Sequence, residues 1–111
     1  HGSTFGGNPV CCAGALSVLG RLDEAFLESV KAKGRLVFDT LQGKPGIEAV
    51  SGMGLMIGIK TAKPAGDVVR ACMEQGVLCL TAKEKVRLLP ALNIPMETLK
   101  KAVAVIKAAC V

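Results

Sequence analysis

The sequence predicts an α+β domain: a mainly antiparallel sheet of three to four strands with helices packed on one face. Three observations lead there. Apolar residues within 24–42 and 96–109 recur at helical intervals, so each segment has one face to bury. Leu55, Ile57 and Ile59 alternate with Met56, Gly58 and Lys60, the period of a half-buried strand. The extended segments fall in pairs joined by short turns, and short turns pair strands antiparallel.

Residues 9–22 read as a first helix, with Asn8 as N-cap and Pro9 at the first helical position, where no N–H is needed. Cys11, Cys12, Ala13, Gly14, Ala15 and Ser17 are small enough to let another backbone pack closely. This helix reads as a connector, dividing the chain into residues 1–23 and a compact unit over 24–111. Asp23 is the expected N-cap of the next helix, over 24–42. Phe26, Leu27, Val30, Val37, Phe38 and Leu41 form its apolar stripe, interrupted over 31–35, and Gly43-Lys44-Pro45-Gly46 stops it.

Residues 47–50 and 55–59 are predicted extended around a turn over 51–54. Gly58 implies close approach by something large, or a bulge. Met53 and Met56 read as core filler rather than a soft-metal pair. After the break at Lys63-Pro64, residues 65–75 form a helix capped by Gly76, with Val69, Cys72 and Met73 inward. Residues 77–80 are a short buried strand, 81–85 a charged turn, and 86–89 a returning strand that Pro90 ends for want of a donor. The last helix, over 96–109, turns Leu99, Val103 and Ile106 inward and Lys100, Lys101 and Lys107 outward. Lys107 suits the negative C-terminal end.

A chain of 111 residues allows one domain. Half its residues are hydrophobic and its mean hydropathy is +0.45, an excess that marks a surface to be covered. No apolar run approaches the roughly 18 residues of a membrane span, so no membrane role is expected. The net charge is +5, yet there are three Phe, no Tyr and no Trp, and the basic residues are scattered. That pattern argues against nucleic acid. Cysteines stand at 11, 12, 72, 79 and 110, an odd set without C-x-x-C spacing or a histidine partner. They point to a reducing cytoplasm, with neither zinc nor disulfides. The chain shows no initiator Met and no signal segment, and reads as a piece of a longer polypeptide.

Two places offer chemistry. Ser3 and Thr4 set two hydroxyls just before the Gly6-Gly7 turn and a helix N-terminus, an arrangement that suits a phosphate or oxyanion, or is a plain structural turn. Arg87 stands in an otherwise apolar strand. Its planar fork suits a carboxylate, and the alternative is an edge arginine solvated or paired with Glu84. His1 is the only histidine, has no oriented partner, and reads as loop context.

The string HGSTFGGNPV, followed by a small-residue helix, resembles the loop that opens the C-terminal part of class III, pyridoxal-phosphate-dependent aminotransferases, above all the acetylornithine/succinylornithine branch. Arg87-Leu88-Leu89-Pro90-Ala91-Leu92 resembles the family's R-[FL]-x-P-x-L string. Residues 52–59 resemble its G-x-G-L-M-x-G-I strand. Cys11-Cys12, Gly14 and residues 81–84 depart from the family pattern.

The resemblance implies the small C-terminal domain of the pyridoxal-phosphate-dependent transferase fold, with residues 1–23 ending the large domain. It gives Thr4, with Ser3 beside it, contact with the phosphate of the neighbouring subunit's cofactor in a homodimer. It gives Arg87 the substrate α-carboxylate, and Gly6, Gly7 and Asn8 the shaping of the loop. The lysine that holds the cofactor aldehyde would lie upstream, leaving no catalytic residue in this chain. The implied reaction moves an amino group between N-acetylornithine and 2-oxoglutarate, as in arginine biosynthesis. Ornithine, succinylornithine and 4-aminobutyrate are alternative donors. A stand-alone α+β module for small-molecule binding or assembly is the rival from another class.

Overall fold

Antiparallel pairing runs through the whole sheet. The computed structural model describes residues 2–111, so His1 lies outside the described residues. The elements are α1 (Pro9–Leu19), α2 (Glu24–Leu41), β1 (Ile47–Met53), β2 (Met56–Thr61), α3 (Ala65–Glu74), β3 (Leu80–Ala82), β4 (Lys85–Leu88) and α4 (Met96–Ala109). The four strands lie in the order β1-β2-β4-β3, with α2, α3 and α4 over one face.

The alternation read from β2 holds: Leu55, Ile57 and Ile59 are buried while Met56 and Lys60 are exposed. Beneath the helices they join Val86 and Leu88 of β4, Val30, Val37 and Leu41 of α2, Val68 and Cys72 of α3, and Leu99, Val103 and Ile106 of α4. Each such side chain stabilises the fold by about 1.5–3 kcal/mol on leaving water.

Within the apparent break over 31–35, Lys33 and Gly34 belong to the buried surface of α2, while Lys31 and Arg35 are exposed. A Cβ on Gly34 would lie 2.5 Å from the Gly54 carbonyl oxygen, so backbone packs on backbone there. Lys33 is only 8% exposed, and its ammonium donates to the Leu92 carbonyl at 2.8 Å. Asp23 caps the helix as expected, accepting from the Phe26 amide at 2.8 Å.

Several expectations need correction. β1 continues to Met53, because Ser51, Gly52 and Met53 pair with Gly58, Ile57 and Met56. The turn is therefore confined to Gly54, at φ +55°, and Leu55. Met53 and Met56 are not core filler; they form the last cross-strand pair and are 87% and 61% exposed. The inward stripe of α3 is Ala65, Val68 and Cys72, with Val69 half-buried and Met73 exposed. The strand expected over 77–80 begins only at Leu80. Gly76, at φ +78°, reverses the chain, Leu78 points to solvent, and only Cys79 is buried. The helix α1 ends at Leu19, where Gly20, Arg21 and Leu22 bond back to Leu16, Val18 and Leu19 as tight turns. No residue of α1 is buried.

No described helix is long and apolar enough to cross a membrane, and the described residues hold no group of three or more side chains able to bind a metal.

Candidate functional site

The loop before α1 is built by its own backbone. The Gly6 amide donates to the Ser3 carbonyl at 3.3 Å and the Asn8 amide to Phe5 at 3.0 Å, with Gly7 at φ +79° closing the turn. Asn8 Oδ1 accepts from the amides of Val10 and Cys11 at 3.0 and 3.1 Å. The first α1 donors are thereby occupied, so the helix end itself offers little to an anion. The side chains of Ser3 and Thr4 are exposed and make no hydrogen bond among the described residues. They are the hydroxyl donors of this loop.

Arg87 lies elsewhere, in the middle of β4. Val86 and Leu88 face the helices, so Lys85 and Arg87 face away from them, on the open side of the sheet. Arg87 is exposed, and it forms no ion pair among the described residues, with Glu84 or any other acid. Register sets it in a row across the sheet: Ser51 opposite Gly58, Gly58 opposite Arg87, and Arg87 opposite Leu80.

Arg87 also borders a hollow of about 490 Å³ at the β3 edge, whose apolar lining includes Leu78, Leu80, Leu89 and Ile106. Ser3 and Thr4 do not line it. The described chain thus holds the loop hydroxyls and the guanidinium as separate pieces, each open toward solvent.

Gly58 marks what sequence reasoning saw without resolving. There is no bulge at that position; the one irregularity in the sheet lies between Ile47 and Ala49. The close neighbour is the Lys85 stem, whose Cδ would lie 3.3 Å from a Cβ at Gly58. The Lys85 ammonium crosses β2 to donate to Ser51 Oγ at 3.1 Å, and Ser51 Oγ donates to the Gly58 carbonyl at 3.3 Å. Lys60, on the same face, is neutralised by Glu48 at 2.9 Å, which raises its pKa.

The cysteines divide by place. Cys11 and Cys12 are exposed on α1, while Cys72, Cys79 and Cys110 are free thiols within the core. Burial pushes the Cys72 thiol up to about 12, with neighbouring Cys79 adding to the shift. Burial likewise raises Cys79 and Cys110. These three behave as small apolar side chains.

The family profile for aminotransferase class-III matches residues 1–110. The chain belongs to the class-III aminotransferase family. It is 48% identical over 108 residues to an acetylornithine aminotransferase of Haemophilus ducreyi, covering 96% of this chain and 28% of that protein. A second acetylornithine aminotransferase, from Clostridium acetobutylicum, is 41% identical over 112 residues, covering 95% of this chain and 29% of its own length. Among solved structures, the acetylornithine aminotransferase of Elizabethkingia anophelis superposes with a TM-score of 0.79 at 32% identity, covering 98% of this chain and 30% of that one. The ornithine aminotransferase of Toxoplasma gondii ME49 gives a TM-score of 0.82 at 32% identity, over 99% and 28%. The chain therefore spans somewhat under a third of the length of the relatives it matches.

Proposed function

We propose that this chain is the C-terminal portion of a pyridoxal-phosphate-dependent aminotransferase that moves an amino group from N-acetylornithine to 2-oxoglutarate in the cytoplasm, as a homodimer. Residues 1–23 would end the large domain and residues 24–111 form the small one, a division supported by α1 having no buried residue. The relatives named acetylornithine aminotransferase support the choice of donor over ornithine, succinylornithine or 4-aminobutyrate. Five free thiols fit a reducing compartment.

The observation that carries the reading is Arg87, an exposed guanidinium on the open sheet face with no acid beside it among the described residues. A planar fork with both donor edges free takes a carboxylate by two parallel, charge-assisted hydrogen bonds, and so fixes the orientation of the substrate as well as its affinity. Thr4, with Ser3, would donate to the phosphate of the partner subunit's cofactor. The fit is good, since both hydroxyls are exposed and unengaged by the described residues while the helix amides behind them are already capped. When bound, pyridoxal phosphate supplies the electron sink that acidifies the C–H beside the substrate amino group. The residues of this chain bind and orient; none of its lysines matches the family position that holds the cofactor aldehyde.

The test is an amino-transfer assay on the full-length polypeptide with pyridoxal phosphate, reading glutamate formed from 2-oxoglutarate. The expected result is the highest kcat/KM with N-acetylornithine. A higher value with ornithine, succinylornithine or 4-aminobutyrate would overturn the donor assignment. Glutamate from none of the four would overturn the aminotransferase reading.

A further inference from the structure

The open face of the sheet carries a second cation close to Arg87. Lys85 precedes Arg87 by two residues on β4 and therefore shares its face. Its stem does not extend into solvent. It passes over Gly58, the only position in that row without a side chain, and its ammonium is held by Ser51 Oγ at 3.1 Å. Ser51, Gly58 and Arg87 are successive members of one cross-strand row. The Lys85 ammonium, held at Ser51, and residue Arg87 thus flank Gly58 in that row.

The charges around them single out this pair. Among the described residues the ion pairs are Lys31–Glu28, Lys60–Glu48 and Lys100–Glu97, so Lys60 is neutralised on the same face and Lys85 is not. Glu84, at the β3–β4 turn, acts on Lys60. The partner of Lys85 is an uncharged hydroxyl, which fixes the ammonium without cancelling it.

We propose that Lys85 is a specificity residue for the dicarboxylic oxo acid, lending the Arg87 subsite a second fixed positive charge. The inference rests on Arg87 being the substrate-carboxylate residue. Of the two substrates proposed above, 2-oxoglutarate carries two negative charges, whereas N-acetylornithine carries one carboxylate and one ammonium and is neutral overall. A fixed cation beside the subsite therefore favours the oxo acid selectively. At a separation of about 8 Å in a largely solvated medium, one unit charge changes affinity by roughly threefold.

The test uses the full-length holoenzyme carrying Lys85→Gln, Lys85→Arg or Arg87→Gln, with KM measured separately for each substrate. Lys85→Gln is expected to raise KM for 2-oxoglutarate about threefold and to leave KM for N-acetylornithine almost unmoved. Lys85→Arg should restore the oxo-acid KM, and the difference between Lys85→Gln and the unmodified enzyme should shrink as ionic strength rises. If Lys85→Gln moves both KM values equally, or neither, while Arg87→Gln raises both at least tenfold, the role of Lys85 is overturned and that of Arg87 stands. If Arg87→Gln leaves both KM values unchanged, the Arg87 assignment falls and this inference with it.

Discussion

Gly34→Ala should destabilise the domain even though alanine is the better helix former. Gly34 sits in the interior of α2, where alanine alone would contribute about 1 kcal/mol through helix propensity. Its Cβ, however, would lie 2.5 Å from the Gly54 carbonyl oxygen and 3.0 Å from the carbonyl carbon, against an ordinary contact beginning near 3.4 Å. Both partners are backbone, so no side chain can swing away. The helix and the β1–β2 turn must separate by about 0.9 Å, and a gap of that size forfeits a quarter to a half of each dispersion contact across it. Val30, Val37 and Leu41 of the same helix are buried and would share the loss. Overpacking of this kind costs about 1–3 kcal/mol, which outweighs the propensity gain and leaves a net loss of roughly 1 kcal/mol. Gly66→Ala is the control, because a Cβ in the first turn of α3 meets nothing within 4 Å. Urea denaturation should show the Gly34→Ala midpoint falling by several tenths of a molar or more, and the Gly66→Ala midpoint rising or holding. A Gly34→Ala midpoint that rises with the control would refute the packing argument.

Other outcomes follow from single contacts. Asn8→Ala removes the acceptor for the Val10 and Cys11 amides and should destabilise the start of α1 by about 1 kcal/mol, seen as faster hydrogen exchange at those two amides. Asn8→Asp should retain the protection. Lys33→Met should lower Tm by a few degrees, since a bond from a buried ammonium to the Leu92 carbonyl is replaced by packing alone. Cys72 ionises near 12 when folded against a reference of 9.0, so the folded state keeps a proton that the unfolded state releases. Its contribution is fully present below about pH 9 and is lost as pH rises toward 12, a slope that Cys72→Ala should flatten in alkaline unfolding curves.

Elements with one dominant signal were readable from the sequence. The α4 boundaries, the inward Leu99, Val103 and Ile106, the alternation of β2, and the caps at Asn8 and Asp23 each depend on local pattern or hydrogen-bonding chemistry, and the structure carries all of them. The errors arise where a local pattern has two solutions. In α3, Val69, Cys72 and Met73 and the set Ala65, Val68 and Cys72 are overlapping stripes that share Cys72 and centre about 60° apart, and only packing against α4 and the sheet selects between them. In 77–80, four consecutive apolar residues cannot show which of them pair, and the reversal at Gly76 turns Leu78 outward. Met53 and Met56 look like core because they are apolar, yet their shared register places them at the turn end of a hairpin, where both are exposed. Lys33 left no signal, since its partner Leu92 lies 59 residues away. At the site, Gly58 announced a close neighbour; register sets Arg87 opposite it, and only the diagonal path of the side chain toward Ser51 makes that neighbour Lys85.

The most direct test of the account is borohydride reduction of the full-length polypeptide with pyridoxal phosphate, followed by peptide mapping of the labelled lysine. A single labelled lysine outside residues 1–111 is the predicted result, with Thr4→Val weakening cofactor retention and leaving the labelled position unchanged. Specific labelling of a lysine within residues 1–111, or no specific label at all, would contradict it.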